Sequence, residues 1–198
     1  MLTKHELLEP LARLRNDQVV VTTMATVRPW TRYSEHALDF ASADSAMGHA
    51  ADFALGIALA RPERKVICLN GDGSMLMSLG TLVTIMSSGA KNFILFVVQN
   101  DSYEITGNQP IPGTGFVDFR AMAKAAGFLR VYAFDDPRDY GSALPGILAG
   151  DGAVFVTVKV EPGSEGPLCR RPEESAHYLR YSLAESVRRV QRALRNSA

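Results

Sequence analysis

The chain has 198 residues, a length that fits one domain, and 46% of them are hydrophobic, enough to build a large core. Lys plus Arg and Asp plus Glu balance at 21 each, so nothing in the charge argues for nucleic acid or an anionic membrane surface as partner. The two cysteines, Cys68 in an apolar run and Cys169 in a late polar stretch, make neither a disulfide framework nor a metal-ligand cluster. With no apolar run long enough for a signal peptide or a bilayer span, a reducing cytoplasm is the expected home.

In chain order, Thr3 is a candidate N-cap with Glu6 three residues on, and Leu7, Leu8, Leu11 and Leu14 supply an apolar helical face interrupted near Pro10. Val19 to Thr23 predicts a short β-branched strand. Ser45 to Ala60 alternates small and large apolar residues, as a tightly packed helix does. Val66 to Leu69 and Phe93 to Val98 are uninterrupted apolar runs, the pattern of strands buried on both faces. Each ends in small and oxygen-bearing residues, Asn70-Gly71-Asp72-Gly73-Ser74 and Gln99-Asn100-Asp101-Ser102-Tyr103. A helix is expected from Ser74 to Ser88. Asp101 to Pro112 is a polar, glycine- and proline-rich loop suited to a site wall. Its candidates to face a ligand are Tyr103, Glu104, Thr106, Asn108 and Gln109, with Glu104 equally readable as a solvated charge.

Phe119 to Ala126 predicts a helix closed by Gly127, Arg130 to Phe134 a strand, Pro137 to Leu148 a helix, and Ala153 to Val160 a strand. The expected architecture is α/β, a mostly parallel central sheet with helices on both faces and right-handed crossovers. Residues 1–172 form the domain. Glu161 to Arg171 reads as a linker, and Glu173 to Asn196 as an amphipathic C-terminal helix, within 173–198, that either docks on a subunit or packs on its own domain.

Ligands of open parallel sheets bind outside the carboxyl ends of the strands, so Asp72 and Asn100 are expected to converge. Charged and amide oxygens with a turn carbonyl, such as that of Ser102, suit an octahedral Mg²⁺ shell completed by water and phosphate. Gly71 and Gly73 let the backbone approach a ligand, and free N–H groups at the helix start by Ser74 attract a diphosphate.

Gly71-Asp72-Gly73-Ser74 followed by a helix, an apolar strand and Asn100 resembles the signature of thiamine diphosphate enzymes. Four further stretches, Asp44 to Ala50, Leu55 to Pro62, Tyr103 to Pro110 and Val158 to Ser164, resemble the diphosphate-binding domain of the sulfopyruvate and phosphonopyruvate decarboxylases. The likeness runs from about Thr22 to about Pro172. It implies the thiamine diphosphate-binding fold, with Asp72, Asn100 and the Ser102 carbonyl on Mg²⁺. It implies Gly71, Gly73 and Ser74 on the diphosphate, and Tyr103 and Thr106 along the cofactor.

The resemblance also implies a role for Met47, as the bulky residue that wedges the cofactor's two rings into a bent V. The bend brings the pyrimidine amine beside the thiazolium carbon; the alternative is a Met filling a core gap. The carbonyl of Ser45 is the matching acceptor for that amine. His49 is either a proton shuttle or a helix histidine with an ordinary partner. Thr26 and Arg28 match a loop that helps hold the diphosphate or lines a subunit contact, while Arg28 reads equally well as a solvated charge.

The family's activating Glu belongs to a separate pyrimidine-binding domain, for which this chain has no room. The resemblance thus implies a β-type subunit of a cytoplasmic, Mg²⁺-dependent 2-oxoacid decarboxylase, a carbon–carbon lyase. Its partner would be an α-type pyrimidine-binding subunit in a hetero-oligomer, with a dimer of this chain an option in isolation. The alternatives are half of a carboligase or oxidoreductase using the same cofactor, or a non-catalytic scaffold. Departures at Gln99-Asn100-Asp101-Ser102 and Gly107-Asn108-Gln109, where relatives show Asp-Asn-Gly and Gly-Gly-Gln, leave the substrate open.

Overall fold

The computed structural model describes residues 1–41 and 47–196. Thr3 starts the first helix, α1 (Lys4–Leu14), with a reciprocal cap: its hydroxyl accepts from Glu6 N at 3.2 Å and Glu6 Oε2 accepts from Thr3 N at 2.8 Å. The helix continues through Pro10 instead of breaking there. Leu7, Leu8 and Leu11 are fully buried and hold the turns on both sides of the proline against the sheet.

The remaining helices are α2 (Val27–Thr31), α3 (Ala50–Ala60), α4 (Asp72–Leu76), α5 (Thr81–Ser88), α6 (Phe119–Ala125), α7 (Pro137–Ala149) and α8 (Leu183–Asn196). The strands are β1 (Val19–Thr22), β2 (Asp39–Ala41), β3 (Val66–Gly71), β4 (Phe93–Gln99), β5 (Ser102–Tyr103), β6 (Gln109–Pro110), β7 (Arg130–Phe134) and β8 (Val154–Lys159). Six strands form one sheet in the order β2-β1-β3-β4-β8-β7, every pairing parallel, while β5 and β6 form a small antiparallel pair.

The two-residue period of the strands divides the core into two layers. Ile67, Leu69, Ile94, Phe96 and Val156 pack under α1, α2 and α7 with Leu7, Leu11, Trp30 and Tyr140. Cys68, Leu95, Val97 and Phe155 pack on the other face with Ala54, Leu82, Ile85, Phe119 and Val190 from α3, α5, α6 and α8. This is the expected α/β sheet with helices on both faces.

Three helix boundaries differ from the sequence reading, two of them through tertiary bonds and one at a glycine. The helix expected over Ser74 to Ser88 is two, α4 and α5. Between them the Ser78 hydroxyl donates to the Gly48 carbonyl, and the Thr81 hydroxyl donates to Asp52 Oδ1 at 2.5 Å. The helix expected from Ser45 begins at Ala50, after Gly48 at φ 87°, and Ser45 itself lies outside the described residues.

The C-terminal helix begins at Leu183 instead of Glu173. The preceding stretch is pinned by Glu174 to Arg28 and by the Tyr178 hydroxyl to Asp39 Oδ2 at 2.8 Å. Val190 and Leu194 of α8 are buried in the second core layer, and Arg61 donates to the Leu194 carbonyl.

Candidate active site

Leaving β1, the chain turns one way to β2; β3 pairs on the other side of β1 and leads on to β4. The crevice therefore opens at the carboxyl ends of β1, β3 and β4. Its walls are the Thr23–Thr26 turn, the β3–α4 junction and the segment after β4. Thr26 ties the first wall to the second, its hydroxyl donating to Thr23 O at 2.8 Å and lying 3.3 Å from Leu69 O. Met24 in that turn takes φ 49°, the left-handed region a methionine seldom occupies.

Asp72 opens α4 with its carboxyl group turned inward, 2% exposed. Oδ1 accepts from Gly73 N at 2.7 Å, and Oδ2 accepts from Asn100 N at 3.0 Å and Asp101 N at 2.6 Å. Burial pushes its pKa up to about 6, against the opposing pull of those N–H groups. Among the described residues no Lys, Arg or His forms an ion pair with it.

Asn100 lies beside it. Oδ1 accepts from Ser102 N at 3.1 Å and Nδ2 donates to Glu104 Oε2 at 2.9 Å. Asp101, at φ 56°, turns the chain between Asn100 and Ser102. A buried carboxylate with no ion-pairing side chain among the described residues, in a cleft that Asn100 and Ser102 also line, offers oxygens of the kind that fit a hard divalent ion. No group of three or more His, Cys, Asp or Glu side chains among the described residues could hold a metal, so such a site would depend on one carboxylate and neutral oxygens.

Gly73 lies at a close approach. A Cβ there would lie 2.8 Å from Tyr103 Cδ1 and 3.1 Å from Ile111 Cγ2, so the tyrosine ring rests on the bare backbone. Ser74 is buried, and its hydroxyl accepts from Gly48 N at 2.9 Å, which fastens the turn before α3 to the site.

The cleft thus gathers Met47, Gly71, Asp72, Gly73, Ser74, Asn100, Ser102, Tyr103 and Thr106. His49 is not among the lining residues; its ring is largely exposed and lies 3.0 Å from Asp52 Oδ2. Asn108 and Gln109 sit at the exposed β5–β6 turn, where Asn108 Nδ2 donates to Gly163 O at 3.2 Å.

Two residues behave differently from their sequence reading. Glu104 is no solvated charge: its side chain is fully buried and paired with Lys4 at 2.5 Å. Arg28 is neither free in solvent nor in the cleft. It donates to both Glu174 oxygens, at 2.8 and 3.0 Å, and to the carbonyls of Glu165, Gly166 and Pro167. Both pairings join residues at least 100 positions apart, for which no local pattern gives a signal.

Residues 20–158 match the family model of the C-terminal TPP binding domain of thiamine pyrophosphate enzymes. The chain belongs to this family. The thiamine pyrophosphate domain is similar to phosphonopyruvate decarboxylase of Streptomyces hygroscopicus, with 38% identity over 138 residues, 68% of this chain and 34% of that protein. It therefore spans about a third of that relative's length. It is also similar to sulfopyruvate decarboxylase subunit beta of Methanococcus maripaludis, 30% identical over 165 residues that cover 83% of this chain and 87% of that one. Among solved structures, benzoylformate decarboxylase from Polynucleobacter necessarius matches with a TM-score of 0.68 and 22% identity over 83% of this chain and 34% of that one, a likeness of fold. The resemblance read from the four motifs is borne out.

Proposed function

We propose that this chain is the β-type subunit of a thiamine diphosphate-dependent 2-oxoacid decarboxylase. The carrying observation is Asp72, a buried carboxylate at the sheet's switch point with no ion-pairing side chain among the described residues, bonded to the Asn100 backbone N–H in a cleft that Asn100 also lines. In this reading Asp72, Asn100 and the Ser102 carbonyl hold Mg²⁺. Gly71, Gly73 and Ser74 receive the diphosphate, and Tyr103 and Thr106 line the cofactor's path.

When bound, thiamine diphosphate supplies the electron sink that lets CO₂ leave a 2-oxoacid. The chain's own task is to bind, orient and exclude water. Met47, half-buried in the cleft wall, would support the cofactor's bend; Ser45, whose carbonyl the same reading gives to the pyrimidine amine, lies outside the described residues. His49, outside the cleft lining with its exposed ring bonded to Asp52, fits the helix histidine with an ordinary partner better than the proton shuttle. An α-type subunit brings the pyrimidine-activating Glu, a reading supported by the subunit naming of the methanococcal relative and its 87% coverage.

The substrate is a small 2-oxoacid with an acidic tail, in line with the sulfopyruvate and phosphonopyruvate in the relatives' names. A cytoplasmic setting agrees with two free cysteines, and no described helix is long and apolar enough to cross a membrane.

The test is calorimetric titration of Mg²⁺ and thiamine diphosphate into the chain, alone and with its co-purifying subunit, beside Asp72→Ala. Binding that disappears in Asp72→Ala is expected, followed by turnover of a 2-oxoacid in a screen. Absence of binding in both preparations would sink the proposal.

A further inference from the structure

Asn100 carries two chemically different ends on one flat amide, and only its oxygen can serve a cation. Glu104 decides which end is free. An ionised carboxylate only accepts, so Glu104 Oε2, 2.9 Å from Asn100 Nδ2, holds the NH₂ end. Oδ1 is thereby turned away, to the side where Ser102 N donates to it.

Glu104 is itself held firmly. Its Oε1 accepts from Lys4 Nζ at 2.5 Å and from Glu165 N at 3.1 Å, and its side chain is fully buried. The linker lies tightly over the pair: a Cβ on Gly163 would come 2.5 Å from Glu104 Oε1 and 2.8 Å from Lys4 Nζ. Lys4, from the first turn of α1, balances the buried charge, which without a cation would be costly.

We propose that Glu104 is a positioning residue for the metal site. It locks the Asn100 amide so that the oxygen, and not the NH₂ group, is presented to the cation, and Lys4 keeps Glu104 in place. The inference rests on the metal reading of Asp72 and Asn100 given above.

The isosteric variant Glu104→Gln gives a sharp expectation. Lys4 and Glu165 N are both donors, so the new amide keeps its oxygen toward them and turns its NH₂ toward Asn100. Two NH₂ groups cannot face each other, so Asn100 flips and withdraws its oxygen. Asn100→Asp alone also fails, because two carboxylates then confront each other. Combined, the two changes fit again: the new carboxylate accepts from the new NH₂ with one oxygen and keeps the other for the cation.

The experiment measures the Mg²⁺ concentration needed for half-maximal thiamine diphosphate binding, by calorimetry on the chain with its partner subunit. Thermal unfolding run alongside shows which variants are folded. Each single variant should raise the Mg²⁺ requirement by about 10- to 100-fold, the usual effect of disturbing a ligand's supporting bond. The double variant should return to within a small factor of wild type, an outcome a merely structural role for Glu104 would not produce.

Wild-type Mg²⁺ dependence in Glu104→Gln overturns the inference, and so does a folded double variant as weak as the singles. Where Glu104→Gln does not fold, the double variant and Asn100→Asp still decide by the same comparison. A wild-type chain that binds no cofactor refutes the decarboxylase reading itself, and this inference with it.

Discussion

Replacing Arg28 by Ala should destabilise the fold more than it weakens cofactor binding. The guanidinium makes two bonds to the Glu174 carboxylate and bonds to three linker carbonyls, so the variant loses them all at once. It also leaves Glu174, 2% exposed, without its cation. Removing one partner of a buried pair costs about 3–5 kcal/mol, and the 15% exposure of the Arg28 side chain places this case at the lower end.

Linkage gives a similar figure. The Arg28 hydrogen bonds come first among the causes that hold Glu174 at about 2 instead of 4.5, a difference on the order of 3 kcal/mol. The folded pKa is depressed, so this stability is fully present above pH 4.5 and is lost as the pH falls toward 2. Urea unfolding of both chains between pH 7 and pH 3 should show a gap of about 3 kcal/mol at neutral pH that narrows on acidification. A gap below about 0.5 kcal/mol at pH 7, or one that does not narrow, would refute the clamp.

Three further substitutions test other joints of the structure. Gly73→Ala should cost only about 1 kcal/mol, because the half-buried Tyr103 ring can turn outward, yet reduce thiamine diphosphate affinity at least about tenfold by filling the approach to α4; thermal unfolding and calorimetry separate the two effects. Leu194→Ala should lower the unfolding free energy of the chain by about 2–3 kcal/mol in denaturant, whereas an α8 that served only a subunit contact would show no change. Tyr140→Phe removes the hydroxyl that donates to Leu7 O at 3.0 Å and should cost about 1 kcal/mol by the same assay.

What could be read from the chain alone follows the range of the forces involved. The apolar runs Val66 to Leu69 and Phe93 to Val98 marked central strands because burial on both faces leaves no polar position. Asp72 and Asn100 could be paired because adjacent parallel strands end side by side. Thr3 and Glu6 stated the first helix cap in four residues. The failures came where a side chain answers to a distant partner. Ser78 and Thr81 bend the chain toward Gly48 and Asp52, and Tyr178 and Glu174 hold a stretch that hydropathy alone would extend as helix. The burial of Glu104 depends on Lys4, 100 positions earlier, and no periodicity encodes that.

The two buried carboxylates at the cleft differ in what balances their charge. Glu104 has Lys4 at 2.5 Å; Asp72 has three backbone N–H groups and no ion-pairing side chain among the described residues. Those N–H groups favour the ionised form, yet burial outweighs them and carries Asp72 to about 6. A diphosphate brought to the same strand end would add like charge. The helix beside it gives limited relief, since α4 runs only from Asp72 to Leu76 and its Gly73 N–H already serves Asp72. On the proposed reading, a divalent ion held by Asp72 and Asn100 would reconcile carboxylate and diphosphate. Metal and cofactor should therefore bind interdependently, each raising the affinity of the other by the same factor. Calorimetric titration of each in the absence and presence of the other measures that factor, and equal affinities in both conditions would contradict the argument.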